Sequence, residues 1–197
     1  MNARETAYRR TFDAWSGGEP GLALELCREL VRNFPDNNIG PLLHGVILSD
    51  LARYEEAEQV LKTAIQGLDL EQLQFGYHHL GHLHRDSGHY DEAEKWYRKA
   101  IEFDPDDAGR HTFLGALLAK KGDLKAAEES HRKGTRCSKG PMDEAYLNLG
   151  LVLRAQERYA EALECFKRAL ELDQDYKEAA RAKLDMEKVL AFLQTLA

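Results

Sequence analysis

The sequence predicts an all-α chain folded as a solenoid, a stack of similar helical hairpins, and three observations carry that prediction. A ladder of small residues, Ala23, Ala57, Ala93, Ala127 and Ala162, advances in steps of 34, 36, 34 and 35 residues. The apolar residues around it follow i, i+3, i+4 spacing, which puts them on one face of a helix. Gly18, Gly88 and Gly122 interrupt that spacing in mid-unit, so each unit reads as two helices joined by a tight turn. A single hairpin cannot bury its own apolar face, and neighbouring units must therefore stack.

Two further ladders keep the same step. Thr11, Gly45, Gly81, Gly115 and Gly150 lie upstream of the alanines, and Leu30, Ala64, Ala100, Gly134 and Ala169 lie downstream. Small side chains suit places where helices approach closely. Larger ones fill the space around them: Tyr54, Tyr90, Leu124 and Tyr159; Leu48, His84, Leu118 and Leu153; and Cys27, Leu61, Tyr97, His131 and Phe166. Pro35 and Pro105 close the first and third units, because proline disfavours helix in the residue before it and cannot continue a helix interior. Asp69, Lys139 and Gln174 stand at the equivalent places. The first unit is the least regular, with Arg10 and Thr11 on its pattern positions, and GTRCSKGP at 134–141 is expected to fray or kink the stack. Residues 177–196 read as one more helix with Ala179, Leu184, Val189, Leu190 and Leu193 available for burial, a cap over the last apolar face.

Tyr77, Leu80, Gly81, His84, Ala93, Tyr97, Ala100 and Pro105 match the W-x2-L-G-x2-Y, A, F, A, P pattern of the tetratricopeptide repeat, which the chain resembles. Tyr146, Leu149, Gly150, Ala162, Phe166 and Ala169 match it again. The resemblance implies a right-handed superhelical solenoid of five hairpins at 4–37, 38–71, 74–107, 108–141 and 143–176, followed by a capping helix at 177–196. It also implies a protein–protein interaction module, a scaffold or adaptor that takes a peptide or amphipathic helix of a partner in a concave groove lined by the first helix of each hairpin. Carried over by position, the groove residues are Tyr8, Phe12, Leu42, Val46, Phe75, His78, His82, Arg85, Thr112, Lys120, Leu147, Asn148, Leu151 and Arg154, with Glu5, Trp15, Ile39, Ala116 and Glu144 beside them. Aromatic and aliphatic anchors would dominate affinity, and the basic trio Arg85, Lys120 and Arg154 would favour acidic residues on the partner. The Lys/Asn/Arg cluster with which some relatives clamp a terminal carboxylate is missing, since the matching places hold Tyr8, Phe12, Leu42, Val46 and Thr112.

Composition narrows the partner further. A formal charge of -7 argues against a nucleic-acid partner, because phosphate binding needs clustered Lys and Arg in excess. No window approaches the roughly 18 to 20 apolar residues of a membrane span, and no apolar leader opens the chain, so it is read as soluble and cytoplasmic, without membrane insertion. Three cysteines at unrelated spacings do not make a disulfide framework. Catalysis finds no support: His84-Arg85-Asp86 imitates part of a kinase loop, but Asp91 stands where that motif needs Asn. No enzyme activity and no cofactor is expected. Asp104, Asp106 and Asp107 read as solvated charge at a hairpin end.

Two competing readings remain. Irregular unit one or the terminal helix could dock into a second copy to form a homo-oligomer. Alternatively, His78 and His82 at i, i+4, with Asp86 a turn on, have the spacing of a metal chelate, while Cys137 beside Lys133, Arg136 and Lys139 has the surroundings of a low-pKa redox thiol. Ordinary groove histidines are the preferred reading, because two ligands lack a fixed third, because His84 lies on a packing ladder and because His79 is expected to face elsewhere.

Overall fold

The computed structural model describes residues 2–36 and 38–196. Among these lie eleven α-helices, one short 3-10 turn and no strand. In chain order they are α1 (Ala3–Ser16), α2 (Pro20–Asn33), α3 (Ile39–Asp50), α4 (Tyr54–Ala64), α5 (Leu70–Asp86), α6 (Tyr90–Phe103), α7 (Ala108–Lys120), α8 (Leu124–Gly134), α9 (Met142–Ala155), α10 (Tyr159–Leu172) and α11 (Lys177–Gln194). Asn37, the expected last residue of the first unit, lies outside the described residues. No described helix is long and apolar enough to cross a membrane.

Helix starts follow local chemistry. Asn2 and Glu5 form a reciprocal capping box at α1, and Asp107 and Asp123 accept backbone N–H bonds at the starts of α7 and α8. Asp69 does the same for α5, accepting from the Gln72 amide at 2.8 Å. This cap moves the start of α5 to Leu70, four residues ahead of the boundary expected at 74. The turn within each hairpin holds one residue at positive φ: Gly18, Ala52, Gly88, Gly122 and Glu157. Glycine serves three of them without strain, whereas Ala52 (φ 57°) and Glu157 (φ 62°) enter the left-handed region against their Cβ atoms.

The chain divides into two compact units, 1–100 and 101–197. In the first, Ala23, Cys27, Leu43, Ile47, Leu48, Ala57, Leu61, Leu80 and Leu83 build one continuous core. The second centres on Leu149, Leu153, Ala162, Phe166, Ala169, Ala179 and Met186. The small-residue ladder works as spacing predicted. A Cβ at Gly45 would sit 2.5 Å from the Leu61 side chain, at Gly81 2.5 Å from Tyr97, at Gly115 2.6 Å from His131 and at Gly150 2.5 Å from Phe166. Each glycine lets the second helix of its own hairpin press a large side chain onto the backbone of the first.

The irregular stretch at 134–141 is tied down rather than frayed. Ala108 donates to the Lys139 carbonyl at 2.9 Å, Lys139 donates to the Asp106 carbonyl at 3.2 Å, and the Ser138 amide donates to Asp106 Oδ1 at 2.9 Å. The Ser138 hydroxyl also binds the Asp106 carboxylate. Asp104 reaches Lys139 at 3.7 Å, and Asp107 caps α7 through the Arg110 amide. The three aspartates are therefore structural ties, not free solvated charge.

The terminal helix also departs from expectation. Ala179, Ala182 and Met186 are its buried residues, whereas Leu184 is 52% exposed and Leu193 42% exposed. Val189 and Leu190 are half-buried.

Candidate interaction surface

In the amino-terminal unit the first helices α1, α3 and α5 line two hollows. The larger, about 420 Å³, lies among Glu5 and Tyr8 of α1, Ile39 of α3 and Gln72 of α5. Tyr8, Phe12 and Trp15 form an aromatic row along α1, with ring centroids 6.5 Å and 5.6 Å apart. Phe12, Ile39 and Phe75, one from each first helix, remain 42%, 41% and 51% exposed.

The second hollow, about 220 Å³, gathers ionisable groups on a largely apolar lining. It brings together Trp15, Val46, Asp50, His78, His79, His82, Arg85 and Asp86. The Trp15 indole N–H donates to Asp50 at 2.6 Å, and Arg85 pairs with Asp86 at 2.8 Å. His78 Nε2 and His82 Nε2 stand 2.9 Å apart. Burial holds the His82 pKa down at about 4, helped by Arg85 and His79 and opposed by Asp86. His79 is also held at about 4 by burial, against the pull of Asp50. Both imidazoles are neutral at pH 7. His79, expected to face elsewhere, lies in the hollow.

In the carboxy-terminal unit a hollow of about 700 Å³ opens between α9 and α11. Leu147, Leu151 and Leu184 give it an apolar floor; Arg154, Arg181 and Lys188 face Glu178 and Asp185 around it. Arg154 Nη1 lies 3.5 Å from Asp185 Oδ2. With Arg85 and Arg154 both ion-paired inside the chain, the expected basic trio is largely balanced, and Lys120 is an exposed cation near the end of α7.

Three expected contact residues are buried: Leu42 at 8%, Thr112 at 2% and Leu147 at 7% exposed. Leu42 belongs to the core, and Leu147, though buried, lines the hollow. Asn148 is half-buried and donates its amide to the Glu144 carbonyl at 2.9 Å, a bond within its own helix. The residues the spacing missed are Arg181 and Asp185. They stand one repeat step beyond Leu147 and Leu151, and following the ladder into α11 would have found them.

Cys137 does not have the environment its sequence neighbours suggest. It is 8% exposed, its thiol lies 3.4 Å from the Lys133 carbonyl, and burial together with Asp106, Asp107 and Asp104 pushes its pKa up rather than down. Burial likewise raises Cys27 to about 12 and Cys165 to about 11. Among the described residues, no group of three or more His, Cys, Asp or Glu is placed to hold a metal ion.

Comparison with known proteins places this geometry. Models of the tetratricopeptide repeat match residues 42–66 and 143–176, and a TPR repeat model matches 81–122. The type IV pilus assembly protein PilF of Pseudomonas aeruginosa is 36% identical over 104 residues, covering 52% of this chain and 39% of PilF. Human tetratricopeptide repeat protein 7A is 32% identical over 93 residues, covering 47% of this chain and 11% of that protein. The chain thus spans well under half the length of these relatives. Among solved structures, MamA (41-end) from Desulfovibrio magneticus RS-1 superposes with a TM-score of 0.68 at 17% identity over 90% of this chain and 99% of that one. YrrB, described as a TPR protein with an unusual peptide-binding site, superposes at 0.62 and 19% identity over 92% and 98%. Proteins built from such repeats are in general non-catalytic scaffolds for protein–protein interaction. With three repeat matches spread along it and an all-helical hairpin structure that superposes on solved repeat solenoids, the chain belongs to the tetratricopeptide repeat family.

Proposed function

We propose that the chain is an adaptor that holds an amphipathic segment of a partner protein against the first helices of its hairpins. The observation that carries this reading is the exposure of Phe12, Ile39 and Phe75, one large apolar residue from each of α1, α3 and α5, beside hollows rimmed by polar groups. Exposed aromatic anchors next to concave, partly polar surface are where binding energy concentrates in interfaces. The balanced charge of Arg85 with Asp86 and of Arg154 with Asp185 makes apolar complementarity the main term and acidic preference a minor one. Three free thiols suit a cytosolic setting.

Site-specific photo-crosslinking tests this. A crosslinker at 12, 39 or 75 is expected to capture one common protein, and a crosslinker at Leu22 or Lys99, exposed on second helices, is expected to miss it. Equal capture from both sets refutes the reading.

Self-association is the second reading. Leu193, Phe192 and Leu196 are 42%, 62% and 68% exposed at the end of α11. Light scattering across concentration decides it: a mass that doubles and returns to one chain in Phe192→Asp supports a dimer through α11.

A further inference from the structure

The face that α11 turns toward the hollow of the carboxy-terminal unit has a charge order that is its own complement. At 3.6 residues per turn, Glu178, Arg181, Asp185, Lys188 and Phe192 fall within about 80° of one another around the helix, away from buried Ala179 and Met186. All five are exposed, and the four charged ones line the hollow. Arg154 reaches Asp185 from α9 at 3.5 Å, whereas Glu178, Arg181 and Lys188 have no ion-pair partner among the described residues.

The charges run negative, positive, negative, positive, and they are centred on position 183. Glu178 and Lys188 stand five residues to either side of it, Arg181 and Asp185 two. A two-fold axis through that position lays a second α11 antiparallel to the first, with Glu178 opposite Lys188 and Arg181 opposite Asp185, and symmetry makes each pair twice. Parallel pairing in register puts every charge opposite itself. Sliding the antiparallel pair until the axis lies midway between 184 and 185 sets Arg181 against Lys188. No other antiparallel register within α11 pairs all four charges.

We propose that α11 is the two-fold interface of a homodimer, paired antiparallel in this register, so that the segment facing each hollow is the α11 of a second copy. This rests on the self-association reading and gives it an alignment. Leu184, 52% exposed and one residue from the axis, joins the apolar floor of Leu147 and Leu151 at the centre of the contact. Phe192, 62% exposed, lies about 13.5 Å from the axis along the helix, just beyond the first residue of the opposing α11 at about 9 Å, and so covers that helix start. Asp185 can serve two cations, since its side chain is 55% exposed and a carboxylate accepts from several donors. Exposed ion pairs add little affinity, but opposed charges fix register.

Within one chain Glu178 and Lys188 are about 15 Å apart along α11, too far for a direct amide, so a zero-length carbodiimide joins them only between copies. In the full chain, at concentrations where light scattering gives twice the mass of one chain, peptide mapping is expected to find the 178–188 amide. Lys188→Glu and Glu178→Lys, each checked for helix content, are each expected to weaken the dimer at least about tenfold, and the double variant is expected to recover it to within about threefold. A dimer that Phe192→Asp dissociates but that yields no 178–188 amide, or a double variant as weak as the single ones, overturns the register and leaves self-association standing. A wild type with the mass of one chain at every concentration overturns both.

Discussion

His131 offers a sharp check on how the hairpins are packed. Its ring lies over Gly115, where Tyr97 and Phe166 lie over Gly81 and Gly150 in sister hairpins, and it is 1% exposed. Burial alone lowers its pKa to about 4, and its Nδ1 has no hydrogen-bond partner among the described residues. In the unfolded chain the same ring titrates near 6.5. Between those values the unfolded state binds the proton and the folded state does not, so stability is complete above pH 6.5 and falls as pH drops toward 4. One proton corresponds to about 1.4 kcal/mol per pH unit, hence about 3 kcal/mol lost by pH 4.5. His131→Phe, which copies the Gly150–Phe166 pair, abolishes that slope and also removes a buried unsatisfied nitrogen worth about 1–3 kcal/mol. Urea unfolding of both chains from pH 7 to 4.5 measures the difference directly. His79 and His82 titrate in both proteins and cancel. A difference between the two chains that stays constant with pH would show that His131 is not excluded from water and would refute the packing argument.

The turns, the glycine contacts and the thiols each carry an expectation of their own. Ala52→Gly and Glu157→Gly, at the two non-glycine left-handed turns, should each raise the urea midpoint by an amount equivalent to about 0.5–1 kcal/mol, and a loss would contradict the positive φ. Gly150→Val forces branched carbon into a space where even a Cβ meets Phe166 at 2.5 Å; a loss of about 3 kcal/mol or more is expected by thermal unfolding, against little change for a valine at open, positive-φ-free Gly21 beyond its helix preference. All three cysteine thiols have raised pKa values, so at pH 8 the native chain should react with a disulfide reagent far more slowly than the three-thiol unfolded chain. Rapid labelling of Cys137 in the native chain would overturn its assigned burial.

Much of the fold was legible because its determinant is periodic. Gly45, Gly81, Gly115 and Gly150 each need a large partner in the next helix, and a constant step displays both members of the pair. The turn at Gly18, Gly88 and Gly122 was visible for the same reason, since glycine marks the left-handed region. At Ala52 and Glu157 the identical backbone was hidden, because tertiary packing imposes a conformation that the residue does not advertise. The interaction face was less legible. Helical spacing assigns a face, but Leu42, Thr112 and Leu147 show that depth on that face depends on how close the next first helix comes, which spacing does not report. The environment of Cys137 was lost for another reason: its sequence neighbours are cationic, yet the groups that surround it in space are Asp104, Asp106 and Asp107, some thirty residues earlier in the chain.

The exposed Leu184 has a consequence for how such an array can grow. It occupies, one step after Gly150, the position at which Gly45, Gly81, Gly115 and Gly150 admit a large side chain from a partner helix. A bare α-carbon there is an open socket; four side-chain carbons are a plug. A helix laid on α11 as α4, α6, α8 and α10 are laid on the helices before them would meet that side chain, so the close approach repeated along the chain is not available at Leu184. Extending the array would begin with Leu184→Gly.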